Sequence, residues 1–117
     1  MPGAKPQPGT PSSPSIVDQA KKIGEEVKTV PKGSGQFQAL ADKVTSLQLD
    51  QTQAAEATEI AAQTAFGETG GIANLPDGTK AVLPARLDQG VAMIAHPNGS
   101  VTVFKGDLTQ FLPYLGK

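Results

Sequence analysis

Side chains that could perform catalysis or hold a metal are few in this sequence and lie far apart. The single histidine, His96, precedes Pro97 in a predicted turn, and the chain has no cysteine. Nucleophilic catalysis requires a Ser, Thr, Cys or Lys beside an activating base, and a metal site requires clustered His, Cys, Asp or Glu. Asp77, Asp88 and Asp107 are scattered instead. The sequence therefore predicts no catalytic residue, no metal site and no cofactor, and a protein that is not an enzyme.

The sequence offers no obvious site for phosphate or nucleic acid either. The glycines of GETGG, at 67–71, lack the spacing of a phosphate-binding loop. Ten basic and eleven acidic residues give a formal net charge of −1, without a basic stripe that would attract DNA or an anionic membrane. No run approaches the ~20 apolar residues of a membrane span. The sequence predicts neither a nucleic acid nor a membrane as partner.

The first 35 residues predict an extended arm, a short helix and a flexible joint. Five prolines in residues 1–14 fix φ and remove backbone donors, so this arm is expected to lie extended along the groove of a partner. The alternative is a tail without a partner. Residues 15–35 begin with Ser15 as an N-cap and end at the joint that follows Pro31. Between them runs one apolar stripe, formed by Ile16, Ala20, Ile23, Val27 and Val30.

The strongest periodicity lies in residues 36–69, of which 36–66 contain neither proline nor glycine. Nine residues recur at alternating spacings of three and four, as in a heptad repeat: Phe37, Leu40, Val44, Leu47, Gln51, Ala54, Thr58, Ala61 and Ala65. A helix of this length measures roughly 45 Å. The pattern predicts one long helix whose nine heptad residues form the seam of a parallel coiled coil between copies of the chain.

The number of chains in that coiled coil is open between two and three. Val44 at an a position with leucine at d favours a dimer. The polar layers at Gln51 and Thr58, together with the trimeric habit of fibrous proteins, favour the homotrimer that we expect. In an alternative interpretation, the stripe is an amphipathic helix that packs on the core of a monomer.

Two copies of one turn motif organise residues 70–117. Leu75-Pro76-Asp77-Gly78 and His96-Pro97-Asn98-Gly99 each predict a type I turn that closes into a bulge. A helical turn capped by Asp107 is expected to follow four strands, at about 72–75, 79–84, 90–96 and 100–105. Because two hairpins are marginal alone, this small β-hairpin module is predicted to pack on other copies. The expected fold class is α+β: arm, coiled-coil helix and hairpin module.

This layout resembles that of short bacteriophage virion accessory proteins, namely head fibres and capsid decoration or cement proteins. The parts that carry the resemblance are MPGAKPQPGTPSSPS, the stripe from Phe37 to Ala65, and LPDGTKAVL with HPNGSVTVF. The resemblance implies a trimeric, non-enzymatic structural protein of the virion, assembled in the host cytoplasm. Its partner would be the major capsid protein or another virion protein.

The sequence leaves open which end of the molecule contacts the capsid. One candidate surface is the arm with the first helix, through Pro6, Pro8, Pro11 and Ile16. The other is the apolar C-terminus, through Phe111, Leu112, Tyr114 and Leu115, since exposed apolar patches mark interaction sites. A different class of function is a cellular interaction module, such as a bacterial adaptor or secretion-associated component, which would work as a monomer.

Overall fold

The computed structural model describes residues 15–31, 33–67 and 69–115, so the predicted arm at 1–14 lies outside the described residues. Within them, three helices come first: α1 (Ile16–Lys28), α2 (Ser34–Ser46) and α3 (Gln51–Phe66). An antiparallel sheet in the order β1-β2-β3-β4 follows, formed by Thr69–Asn74, Lys80–Pro84, Val91–Ala95 and Val101–Lys105. A 3₁₀ turn, Leu87–Gln89, joins β2 to β3, and a 3₁₀ segment, Leu108–Tyr114, follows β4.

The single long helix predicted for residues 36–69 is wrong, because the chain breaks into α2 and α3. Gln48 takes a positive φ of 56° in the link between them. Asp50 then caps α3, since its carboxylate accepts a hydrogen bond of 2.8 Å from Gln53 N. Asp followed three residues later by Gln is close to the capping-box pattern. Among the described residues the longest helix has 16 residues, so the rod that the parallel coiled coil requires is not present.

The nine heptad residues lie inside one chain. Five of them are completely buried in the core between the helices and the sheet: Leu40, Val44, Ala54, Thr58 and Ala61. Phe37, Leu47 and Ala65 pack against that core and are partly buried. This arrangement matches the amphipathic-helix interpretation, in which the spacing of three and four marks the faces that helices turn toward their own core.

Gln51, the remaining heptad residue, joins α3 to both hairpins. Its side-chain amide donates to the Gly78 carbonyl at 2.6 Å and to the Ala95 carbonyl at 2.9 Å. The link before it lies against the second turn, where a Cβ on Gly99 would collide with the Leu49 carbonyl oxygen. The link between α2 and α3 therefore packs against the two hairpins of the sheet.

Each face of the sheet covers a different apolar cluster. The face toward the helices carries a cross-strand row of Ile72, Val82, Met93 and Val103. The opposite face carries Ala73, Ala81 and Ile94, which cluster with Leu108 and Phe111 of the 3₁₀ segment. Successive side chains of a strand point to opposite faces, which explains why the two inner strands, β2 and β3, are apolar at nearly every position. The helices and the C-terminal segment thus supply the burial that was predicted to come from other copies.

The two turn motifs have the same geometry. Leu75 N donates to Thr79 O at 2.9 Å, and His96 N donates to Ser100 O at 2.9 Å. Gly78 and Gly99 have φ values of 90° and 89°. A glycine at a positive φ after a type I turn is the bulge geometry that the sequence motif predicts.

Other elements cover the two outer strands of the sheet. Thr45 Oγ1 of α2 accepts a hydrogen bond of 2.8 Å from Val101 N and lies 3.1 Å from Val101 O. On the other outer strand, Leu115 forms an antiparallel bridge to Ala73. The ends of β4 and β1 are thus tied to neighbouring parts of the same chain.

Helices α1 and α3 pack closely and run in the same direction. A Cβ on Gly24 would lie 2.5 Å from Thr64 Cβ and 2.7 Å from Ala61 O, so α1 approaches α3 through a glycine. One turn later, Lys28 lines the same hollow as Ala65. The C-terminal ends of both helices therefore meet at one end of the molecule.

Candidate binding cleft

An apolar cleft opens at the end of the sheet that is opposite to the two turns. Its inner hollow, about 300 Å³ in volume, lies between the helices and the connection from β2 to β3. The walls include Phe37, Phe66, Val82, Val91 and Met93. A second, outer hollow of about 620 Å³ shares Phe37, Phe66, Gln89 and Val91 with the first. We call the two hollows together the Phe cleft.

A stacked aromatic pair stands between the two hollows. The rings of Phe37 and Phe66 have centroids 4.8 Å apart and an interplanar angle of 29°. Phe37 comes near the start of α2, and Phe66 is the last residue of α3, which ends at Gly67 with a φ of 104°. Both rings are only partly buried. The pair therefore offers aromatic surface to a bound molecule on either side.

The rim of the Phe cleft carries side chains that donate hydrogen bonds. Arg86 and Gln89 line the inner hollow, and Lys28 lines the outer hollow. The Arg86 guanidinium contacts Asp88 at 3.0 Å, and Lys28 Nζ contacts Glu25 at 3.3 Å. The side chains of both pairs are more than half exposed, and exposed ion pairs contribute little to stability. A ligand with hydrogen-bond acceptors can therefore replace Asp88 and Glu25 as the partners of Arg86 and Lys28 at a small cost in free energy.

The sequence analysis does not predict the Phe cleft. Phe37 was assigned to the coiled-coil seam, whereas Phe66, Arg86, Gln89 and Val91 were given no role. The signal that could have found the pair is the position of Phe37 and Phe66 at the two ends of the stretch without proline or glycine. If that stretch folds back once, its two ends meet.

The predicted C-terminal docking surface is mostly interior. Phe111 is only 5% exposed, and its ring meets that of Phe104 edge-on, with centroids 5.2 Å apart. Tyr114 and Leu115 pack partly buried against the same cluster. Leu112 is exposed, at 43%. Ile16 packs against the helix core, and Pro6, Pro8 and Pro11 lie outside the described residues.

Two aspartates in the connections next to strands have pKa values that hydrogen bonds lower. The pKa of Asp77 is lowered because its carboxylate accepts hydrogen bonds from the Thr79 amide and hydroxyl. Bonds from the Thr109 hydroxyl and amide lower the pKa of Asp107 in the same way. His96 Nε2 lies 2.8 Å from Thr102 Oγ1. Within residues 15–31, 33–67 and 69–115, no three His, Cys, Asp or Glu side chains come together as metal ligands would.

Comparison with protein families, curated proteins and solved structures finds no match to this chain. In the part of the chain that the structure describes, no helix has the length and apolar character needed to cross a bilayer. Among the described residues, the Phe cleft offers a possible binding surface with a mainly apolar wall.

Proposed function

We propose that the protein is a non-catalytic interaction module that binds a proline-rich, extended segment of a partner protein in the Phe cleft. The observation that carries this proposal is the partly exposed Phe37–Phe66 stack between two apolar hollows. Grooves lined with aromatic side chains are the usual receptors of such segments, because proline rings pack flat on aromatic rings. The segment is already extended before binding and therefore loses little entropy.

The hydrogen-bonding character of the rim fits the same ligand. A polyproline II chain has no internal hydrogen bonds, and proline has no backbone N–H, so the chain presents mainly carbonyl acceptors. Lys28, Arg86 and Gln89 at the rim all carry N–H donors. The apolar hollows can thus receive the proline rings, and the donors of the rim can bind the backbone carbonyls of the same segment.

The virion role implied by the resemblance remains a prediction. The resemblance rests on the combination of an arm, a coiled coil and a β tip, and the described residues lack the coiled-coil helix. The other class considered from the sequence, a cellular interaction module that works as a monomer, agrees better with a fold that buries its apolar stripes within one chain. Light scattering should then give a mass near 12.0 kDa even in concentrated solution. A trimer would favour the virion role.

The binding proposal is tested by NMR titration with decaproline, an extended probe without backbone donors after its first residue. The chain used carries Pro6→Ser, Pro8→Ser and Pro11→Ser, which removes three of the five prolines in residues 1–14 as possible competitors of the probe. Decaproline should shift the amide signals of Gln89 and Val91 in a saturable manner. A ten-residue Gly-Ser peptide should not.

Three further variants of that chain locate the binding surface. Gln89→Ala removes an exposed donor of the rim and should weaken binding, whereas Leu112→Ala removes an exposed apolar side chain on the other side of the sheet and should not. Phe66→Leu keeps an apolar side chain but removes the stack, and should weaken binding most. Absence of saturable shifts at the cleft, or loss of binding in Leu112→Ala alone, would contradict the proposal.

A further inference from the structure

The charged side chains that line the Phe cleft are cations. Among the described residues, the inner hollow has one charged lining residue, Arg86, and the outer hollow has one, Lys28. No described acidic residue lines either hollow. Asp88 and Glu25, which contact these two cations, lie outside both linings. A ligand in the cleft therefore meets positive charge beside a mainly apolar wall.

We propose that the Phe cleft selects proline-rich segments that also carry acidic side chains, with Arg86 and Lys28 as the residues that determine this specificity. The specificity rests on the proposed function, because it concerns a partner segment that binds in the same cleft. It adds the charge of that segment, which the apolar hollows and the aromatic pair do not specify by themselves.

The two cations belong to different hollows. Arg86 lines the inner hollow and Lys28 the outer one, whereas Phe37 and Phe66 line both. An extended segment that crosses the aromatic pair can thus bring one carboxylate to each cation. A polyproline II helix has three residues per turn, so acidic residues at every third position form one edge of the segment. The prolines at the remaining positions then face the rings and the apolar walls.

Arg86 has donors to offer to a partner carboxylate. It precedes the 3₁₀ turn Leu87–Gln89, and its side chain is 75% exposed. Asp88 contacts one nitrogen of the guanidinium, Nη2, at 3.0 Å. A guanidinium carries five N–H donors in a planar fork and can bind a carboxylate through two of them. A partner carboxylate can therefore bind the donors of Arg86 that Asp88 does not contact.

Lys28 is expected to be the weaker of the two cations. It is the last residue of α1, and its amino group lies 3.3 Å from Glu25. The C-terminal end of an α-helix carries partial negative charge, which opposes an approaching carboxylate. An ammonium group also lacks the fixed fork of a guanidinium. We therefore expect Arg86 to contribute most of the preference for acidic segments.

Three peptides of equal length and proline content measure this preference: twelve-residue repeats of Asp-Pro-Pro, of Gln-Pro-Pro and of Lys-Pro-Pro. Their dissociation constants are obtained from the amide shifts of Gln89 and Val91, in the chain used with decaproline. Two exposed ion pairs should make the acidic peptide bind about two- to tenfold more tightly than the neutral one, and the basic peptide should bind most weakly. A salt concentration of about 1 M shortens the screening length to about 3 Å and should remove these differences.

Substitutions that remove charge assign the preference to its residues. Arg86→Gln keeps an N–H donor at the rim but removes the cation, so it should abolish most of the preference for the acidic peptide and leave decaproline binding unchanged. Adding Lys28→Gln should abolish the rest. The matched control combines Lys22→Gln with Lys43→Gln, which removes the same net charge from a groove between α1 and α2. This control should retain the preference.

The outcomes separate the specificity from the proposed function. Equal binding of the three peptides at low salt, or an unchanged preference after removal of both Arg86 and Lys28, would overturn the selection of acidic segments. In either case the proposed function stands if decaproline still binds at the cleft. If neither decaproline nor any of the three peptides gives saturable shifts there, both fail. A preference that disappears only in the cleft variants, together with saturable decaproline binding, would support both.

Discussion

Replacing Gly99 by alanine tests where the link between α2 and α3 lies. Gly99 has a φ of 89°, and a Cβ on it would collide with the Leu49 carbonyl oxygen. Gly78 is a matched control in the twin turn, because it has a φ of 90° and a Cβ on it would meet nothing within 4 Å. The two substitutions share the backbone strain and differ in the collision.

The expected losses follow from these two terms. Placing a side chain at a left-handed φ costs about 1–2 kcal/mol, which is the whole expected loss for Gly78→Ala. Forcing a methyl group against a packed backbone adds about 1–3 kcal/mol. We therefore expect Gly99→Ala to lower the free energy of unfolding by about 2–5 kcal/mol.

Urea unfolding, followed by circular dichroism, measures the difference. With a slope of about 1–3 kcal/mol per molar urea for small domains, Gly99→Ala should unfold roughly 1 M earlier than Gly78→Ala. The slope should be the same for both variants. Equal midpoints would show that Leu49 does not lie against the second turn, and would reopen the continuous helix predicted from the heptad pattern.

Three further substitutions probe the helices and the first turn. Gly24→Ala should lower the melting temperature and reduce the free energy of unfolding by about 1–3 kcal/mol, because its methyl group would meet Thr64. Gly35→Ala is the control and should cause no such loss, because a Cβ there meets nothing within 4 Å. Equal effects of the two substitutions would contradict the close approach of α1 and α3. Asp50→Ala should cost about 1 kcal/mol in urea unfolding through loss of the α3 cap, and an unchanged midpoint would argue against the break. The carboxyl carbon of Asp77 should titrate by NMR with a pKa below its ordinary value. A lowered pKa in the folded state gives stability that is present above the unfolded pKa of about 3.9 and is lost as pH falls through the folded value. Asp77→Asn should therefore make the loss of stability below pH 4 less steep. An equally steep loss in the variant would refute the hydrogen bond from Thr79.

Local chemistry explains why the hairpins could be predicted from the sequence. Proline fixes φ at one position of a turn and glycine permits a positive φ at another, so PDG and PNG specify their turns without help from the rest of the chain. The Ser15 cap of α1 is a similar case, since its hydroxyl accepts from Asp18 N at 3.1 Å, as the sequence suggested. Such features depend on only a few consecutive residues.

The helix break escaped prediction because two signals compete in the same residues. The heptad spacing continues from Leu47 to Gln51, and core-facing helices of one chain produce the same spacing as a coiled coil. The contrary signal, Asp50 with Gln53, is short and polar. Which one prevails depends on the sheet, because Gln51 bonds to Gly78 and Ala95, far along the chain. The Phe cleft was missed for the same reason, since its walls come from segments that only the tertiary fold brings together.

The way Thr45 and Leu115 cover the outer strands has a consequence for solubility. An uncovered outer strand presents unpaired backbone groups that can recruit strands of other molecules and start aggregation. Here the Thr45 hydroxyl oxygen accepts a hydrogen bond from the Val101 N–H, and Leu115 pairs with Ala73 on the far side. These contacts leave fewer unpaired backbone groups on the outer strands to recruit strands of other molecules. Thr45→Val, which keeps the shape but removes the hydroxyl, would free Val101 and invite edge-to-edge growth.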